Sequence, residues 1–90
     1  MADYTLQKRK RFAVLADYDD TNGDTVTNNF GMTVTVGLTT VDGKTFDEGT
    51  SVKLNVGEKA EFVSGLGAGR KIVVLVQENE SVNYTENFYV

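Results

Sequence analysis

The chain contains neither cysteine nor histidine. Without cysteine it has no disulfide and no thiolate metal site, and without histidine it lacks the commonest general base and the commonest metal ligand. These absences argue against triad catalysis and against zinc chemistry. We therefore expect a protein that is not an enzyme and that uses no cofactor.

The chain also has little positive charge and no long apolar run. Thirteen acidic residues against nine basic ones give a net charge of −4, which should repel nucleic acid and anionic membrane surfaces. No run approaches the roughly 18 apolar residues of a membrane span. We therefore predict no nucleic-acid partner and no membrane insertion. A length of 90 residues fits one domain, residues 1–90, with one core.

Alternation of apolar and polar residues with a period of two dominates the sequence, and no helical stripe is present. Lys71 to Gln77 is apolar on both faces, as a central strand would be. The other strand-like runs are 30–38, 52–56, 60–63 and 82–90. In the first two runs alternation predicts one buried face, formed by Phe30, Met32, Val34, Val36 and Leu38 and by Val52, Leu54 and Val56. Turn signals recur about every ten residues, at 21–24, 41–44, 48–49, 55–58 and 64–69. The pattern predicts an all-β, immunoglobulin-like β-sandwich of about seven mostly antiparallel strands.

The glycine-rich stretch SGLGAGRK, residues 64–71, could cradle a phosphate or form a turn. A Walker loop requires Gly-Lys followed by Ser or Thr, and a dinucleotide fingerprint requires a following helix. Here Arg70, Lys71 and a strand-like run follow Gly69. We therefore predict a loop between two strands, in which the glycines supply positive φ angles.

The run from Asp17 to Asp24 gathers four carboxylates. The register of an EF-hand loop fails, because glycine falls at position 7 and Asn28 at position 12. Asp17, Asp19 and Asp20 are weak candidates for a calcium site. The alternative is an acidic, solvated turn without metal.

Three charged residues fall on apolar rows. If residues 4–14 form one strand, Lys8 and Lys10 share a face with Tyr4, Leu6, Phe12 and Val14. Glu78 similarly continues the row of Ile72, Val74 and Val76. Burial would remove the charge from such groups. Alternatively the lysines reach water near a strand end, and Glu78 begins a loop after Gln77.

The segment from Phe30 to Ser81 contains a series of short motifs in a fixed order. They are Asp42-Gly43-Lys44, Asn55-Val56-Gly57-Glu58, Phe62, Gly65-Leu66-Gly67-Ala68-Gly69 and Val76-Gln77-Glu78. This order resembles the CnaB-like, inverse-immunoglobulin repeat domains of Gram-positive pilins and adhesins. The resemblance covers about half of the chain. It also extends to the first strand, Tyr4 to Lys8, which is similar to the family's opening strand with its lysine.

The resemblance implies an intramolecular isopeptide bond from a first-strand lysine to a last-strand asparagine, assisted by a glutamate. Lys8 matches the lysine position better than Lys10 does, and Glu78 matches the assisting glutamate. Asn87 and Asn83 are the acceptor candidates, although alternation places them opposite Val82, Tyr84, Phe88 and Val90 unless a bulge intervenes.

The function implied is that of a non-enzymatic structural or adhesive module of a bacterial surface protein, located outside the cell or on its surface. The alternative is a small phage or virion decoration or assembly protein that acts through protein–protein contacts. Both readings predict a protein partner, which could be a second copy of the chain or an added strand.

Overall fold

The computed structural model describes residues 2–5 and 14–76. Within these ranges the chain forms seven β-strands and no helix. The strands are β1 (Ala2–Thr5), β2 (Val14–Asp17), β3 (Asp24–Thr27), β4 (Val34–Thr39), β5 (Phe46–Leu54), β6 (Lys59–Phe62) and β7 (Lys71–Val76). In this part of the chain no helix could span a membrane.

The strands form two sheets, one of three strands in the order β1-β3-β6 and one of four in the order β2-β7-β4-β5. β1 and β3 pair in parallel, and the other four pairs are antiparallel. Side chains of both sheets meet in one core. The prediction of an all-β sandwich with mostly antiparallel strands is therefore confirmed.

The central position of β7 follows from its sequence. Ile72 and Val74 belong to the core between the sheets, and Val73 and Leu75 form a second cluster with Phe46. These four side chains of β7 are each at most 1% exposed. A strand that is apolar on both faces requires cover on both faces, and here the main core covers one face of β7 and Phe46 packs on the other. Within its sheet β7 lies between β2 and β4. The prediction of a central strand here is confirmed.

The four-stranded sheet supplies much of the core through β4, although this strand is shorter than the predicted run of residues 30–38. Val34, Val36 and Leu38 are buried, as alternation predicts. The strand begins only at Val34, because the chain bends through residues 30–32. Met32 consequently lies outside the strand and is 38% exposed, so its predicted place in the buried row is wrong.

The predicted strand at residues 52–56 differs from β5 in extent and in burial. Leu54 is buried, but Val52 and Val56 are 40% and 54% exposed. Val56 lies in the turn after the strand. Val52 pairs with the core residue Val36 and so shares its face, yet β5 lies at an edge of the four-stranded sheet among the described strands. The expected burial is therefore wrong for both valines.

The predicted turn at Glu48-Gly49 is a bulge within β5. The register between β4 and β5 shifts between Val36 and Leu38, which leaves extra β5 residues at this point. The hydroxyl oxygen of Thr50 accepts a hydrogen bond from Leu38 N at 2.8 Å and donates to Asp47 O at 2.7 Å. The Thr50 side chain thus replaces part of the backbone hydrogen bonding that the bulge interrupts between β4 and β5. A bulge in an edge strand also hinders pairing with a further strand.

The row of residues that one strand from Tyr4 to Val14 would form has its two described ends in different sheets, and residues 6–13 lie outside the described residues. Tyr4 lies in β1 of the three-stranded sheet, and Val14 lies in β2 of the four-stranded sheet. Tyr4 is half-buried against the core, whereas Val14 is 42% exposed. Alternation cannot be carried from one to the other, because the two residues belong to different sheets. The predicted final strand at 82–90 lies outside the described residues.

Asn28 fastens the end of the sandwich where β3 leads into β4. The side chain is fully buried. Its amide donates to Met32 O at 2.9 Å and to Leu54 O at 3.0 Å, and its oxygen accepts from Phe30 N at 2.9 Å. Its backbone N also donates to Glu58 O. One buried polar side chain therefore satisfies backbone groups of two connections, as burial of an amide requires.

Candidate functional site

Three loops lie at the opposite end of the sandwich. They are the β2–β3 loop (residues 18–23), the β4–β5 loop (40–45) and the β6–β7 loop (63–70), and we call this region the three-loop end. Antiparallel pairing brings them together. Asp17 at the end of β2 pairs with Lys71 at the start of β7, and Asp24 pairs with Phe62.

Tyr18 braces two of these loops. Its ring is buried in the main core at 5% exposure. Its hydroxyl donates a hydrogen bond to Val63 O and accepts one from Leu66 N at 3.2 Å. A side chain from the β2–β3 loop therefore closes the β6–β7 loop on itself and ties it to the core.

Asp20 makes a second set of contacts between the same loops. Its backbone oxygen accepts from Gly65 N at 2.9 Å, and its carboxylate accepts from Gly67 N at 2.8 Å. Hydrogen bonds to a carboxylate are stronger than those between neutral groups. The glycine-rich loop is therefore held by both the backbone and the side chain of Asp20 in the neighbouring loop.

The β4–β5 loop packs against Gly67 and Gly69 of the β6–β7 loop. Gly65, Gly67 and Gly69 all have positive φ, which confirms the prediction of a strand-connecting loop. At Gly69, where φ is 92°, a Cβ atom would also overlap the backbone oxygen of Val41. The Val41 side chain lies against Gly67. Only glycine allows these two loops to approach so closely.

Two ion pairs flank the three-loop end. Arg70 contacts the carboxylate of Asp47 at 3.2 Å, and Lys71 contacts that of Asp17 at 2.8 Å. The Arg70 side chain is 18% exposed, so this pair joins the β6–β7 loop to β5 from a largely buried position. The second pair is more open to water and contributes less to stability.

The carboxylates of the acidic run make hydrogen bonds and an ion pair within the fold. Asp17 pairs with Lys71, Asp19 caps its own turn and Asp20 holds the β6–β7 loop. Among residues 2–5 and 14–76 no group of three or more acidic side chains is arranged to hold a metal ion. The structure therefore gives the weak calcium candidates Asp17, Asp19 and Asp20 no support.

Asp19 organises the β2–β3 loop. One carboxylate oxygen accepts from Thr21 N at 2.9 Å and from Asn22 N at 3.0 Å, and the other accepts from Asn22 Nδ2 at 3.2 Å. These bonds, first the one from the Asn22 backbone, lower the pKa of Asp19 below its usual value. The carboxylate is therefore ionised at neutral pH and keeps the turn closed.

The three-loop end is also apolar at its tips. Val41, Val63 and Leu66 are 57%, 51% and 38% exposed. Val41 lies against Gly67, next in sequence to Leu66, and the Tyr18 hydroxyl joins Val63 to Leu66. The result is a set of exposed apolar side chains on loops that the core holds in place.

The predicted crosslink residues Lys8, Lys10, Glu78, Asn83 and Asn87 lie outside the described residues. The neighbouring rows are described in part. Ile72 and Val74 face the core between the sheets, as the prediction for Glu78 assumed.

Sequence reasoning missed Tyr18 as the central brace. Its only signal was an aromatic residue within an acidic run. Nothing in that run indicates that the hydroxyl contacts Val63 and Leu66, which lie 45 and 48 positions further along the chain.

No protein-family model matches the chain, and neither a curated protein nor a solved structure does. Membership of the CnaB-like family therefore stays a prediction from the motifs. The arrangement of the three-loop end is what the structure adds to it.

Proposed function

We propose that this chain is a non-enzymatic structural or adhesive module of a bacterial surface protein, and that it binds a protein partner through the three-loop end. The observation that carries the proposal is the combination of exposed apolar tips with braced loops. Binding residues are often found on loops that a rigid scaffold positions. Loops that are already ordered lose little conformational entropy when they bind.

The surroundings of the tips also suit a protein interface. Such interfaces place apolar side chains at the centre and polar groups at the rim. Here Val41 and Leu66 stand at the tips, while the Lys71–Asp17 and Arg70–Asp47 pairs lie where the strands begin. Because the cations of these two pairs each contact a carboxylate, they do not form a basic patch that would attract a polyanion strongly.

Two valines allow a matched test of the binding face. Val41 is 57% exposed at the three-loop end, and Val56 is 54% exposed in the turn at the opposite end. Val41→Asp should weaken binding by at least about tenfold, because a charge replaces an apolar contact. Val56→Asp should leave binding unchanged. The measurement is interferometry with the purified chain against a panel of purified extracellular-matrix and bacterial surface proteins.

Self-association is measured on the same two variants by sedimentation velocity. An oligomer that Val41→Asp disrupts and Val56→Asp does not would identify a second copy as the partner, as the virion-assembly alternative requires. Binding that both variants weaken equally, or that only Val56→Asp weakens, would contradict the assignment of the face. Absence of binding and of self-association at any concentration tested would contradict the function.

The crosslink is a separate part of the proposal and depends on the sequence motifs. The Lys8 amine would attack the side-chain carbonyl carbon of Asn87 or Asn83, an amide bond would form, and ammonia would leave with the proton that Glu78 transfers. Intact-protein mass spectrometry should then show a mass lower by one ammonia. Lys8→Ala should abolish the deficit and Lys10→Ala should retain it. An unshifted mass in the unaltered chain would exclude the crosslink.

A further inference from the structure

The Asn22-Gly23 pair at the tip of the β2–β3 loop carries a latent chemical reactivity. In such a pair the backbone nitrogen of glycine can attack the side-chain carbonyl carbon of asparagine, because glycine has no side chain to hinder the approach. A bond forms between Gly23 N and Asn22 Cγ, the Cγ–Nδ2 bond breaks, and ammonia leaves with the glycine proton. Water then opens the cyclic imide to aspartate or isoaspartate.

The folded loop holds both reacting groups away from this reaction. Gly23 N, the nucleophile, donates to Asp19 O at 2.8 Å. The Asn22 Nδ2 group, which would leave, donates to the Asp19 carboxylate at 3.2 Å. Asp19 thus binds both the nucleophile and the leaving group of the reaction.

The position of Gly23 prevents a local adjustment. The residue is buried, has a φ of 79° and lies against the backbone of β6, where an added Cβ would be 2.6 Å from Phe62 O. Asp20 fastens the same loop to the β6–β7 loop. Gly23 N can therefore reach Asn22 only when the hydrogen bonds of the loop open together.

From these contacts we propose that Asn22 is a deamidation site whose rate is set by opening of the β2–β3 loop. Asn22 is exposed, so water reaches its side chain, and the reaction requires only opening and water. This proposal does not depend on the proposed binding function, because it concerns the chemistry of the loop alone.

Conversion would keep the loop open. A carboxylate at position 22 would lose the Nδ2 donor and repel Asp19. Isoaspartate would also lengthen the backbone by one atom and displace Gly23 N from Asp19 O. The modification is therefore a one-way change that removes the contacts by which Asp19 closes the β2–β3 loop.

Peptide mapping by mass spectrometry of the full chain, incubated at neutral pH, tests the proposal. Deamidation of Asn22 should be at least about tenfold slower in the folded protein than in concentrated urea. Asp19→Ala should accelerate it at least about fivefold, because it removes the contact to Asn22 Nδ2 and the carboxylate bonds that close the turn, although the backbone oxygen that accepts from Gly23 N remains. Asp42→Ala is the matched control, since Asp42 caps the separate β4–β5 loop through Lys44 N, and it should leave the rate unchanged.

Circular dichroism confirms that each variant is folded, and hydrogen exchange at Gly23 N provides a second measurement should Asp19→Ala fail to fold. Exchange and deamidation should then slow together as a stabilising osmolyte is added. Equal deamidation in folded and unfolded chains, or a rate independent of loop opening, would overturn the proposal. Formation of the imide and formation of an isopeptide bond both lower the mass by one ammonia. Hydroxylamine distinguishes them, because it cleaves the chain at the imide.

Discussion

Removing the Tyr18 hydroxyl tests the brace with the smallest change that the chain allows. Tyr18→Phe keeps the buried ring in the core and deletes the two hydrogen bonds, to Val63 O and from Leu66 N. Each bond contributes about 0.5–1.5 kcal/mol net. Val63 and Leu66 are exposed, so water can reach the vacated backbone groups. We expect a loss of about 1–2 kcal/mol in the free energy of unfolding.

Urea and thermal unfolding measure this loss. For a domain of this size it corresponds to a Tm lower by roughly 5–10 °C. Tyr18→Ala should cost about 3–5 kcal/mol, because it also removes the ring from the core. The control is Tyr4→Phe. Tyr4 is half-buried, and its hydroxyl has no hydrogen bond with the described residues, so the change should stay within about 0.5 kcal/mol.

Comparison of the Tyr18→Phe and Tyr4→Phe variants decides whether the Tyr18 hydroxyl stabilises the loops. If Tyr18→Phe changed the free energy of unfolding by no more than Tyr4→Phe does, the hydroxyl would not brace the loops. The reasoning about the three-loop end would then be wrong at its first step.

Three further predictions concern single residues. Gly69→Ala should destabilise the fold by about 2 kcal/mol or more, because its Cβ would overlap Val41 O at a φ of 92°, as a urea midpoint would show. Asn28→Ala should cost about 3 kcal/mol in the same assay, since it removes three hydrogen bonds and leaves the buried backbone groups Leu54 O and Phe30 N without them. Burial, and then the charge of Asp24, raise the pKa of Tyr4 above its usual value. The neutral phenol of Tyr4 therefore stabilises the fold below about pH 10, and this contribution is lost above that pH because ionisation favours the unfolded chain. Unfolding measured across alkaline pH should show a steeper fall in the free energy of unfolding for the unaltered protein than for Tyr4→Phe.

The sandwich was predictable where burial produces a local pattern. β7 was identified because four consecutive apolar residues need cover on both faces, and β6 because Ala60 and Phe62 alternate with charged residues. β4 followed from its alternation from Val34 onwards. In each case neighbouring residues carry the information, because the strand period is two.

The errors occurred where burial depends on distant parts of the chain. Val52 has the right period and shares a face with Val36, yet it is 40% exposed because β5 lies at an edge of the described four-stranded sheet. By sequence alternation alone Tyr4 and Val14 would share one face of a strand, but the two residues belong to different sheets. Strand order and changes of sheet are long-range properties, so a local pattern does not determine them.

The candidate site was predictable only in its turns. The glycine-rich loop and its positive φ angles followed from residue types. The partners of that loop did not, because Tyr18 and Asp20 reach it from more than 40 residues away. The acidic run, which suggested metal ligands, supplies hydrogen-bond acceptors to backbone groups instead.

Amide hydrogen exchange followed by NMR tests the brace most directly. The backbone N–H groups of Gly65, Leu66 and Gly67 are bound by Asp20 O, the Tyr18 hydroxyl and the Asp20 carboxylate. The account predicts that all three exchange well below the rate of an unstructured chain, despite lying in a glycine-rich loop, and that Tyr18→Phe accelerates exchange at Leu66 most. Exchange of the three amides at unprotected rates in the unaltered protein would contradict it.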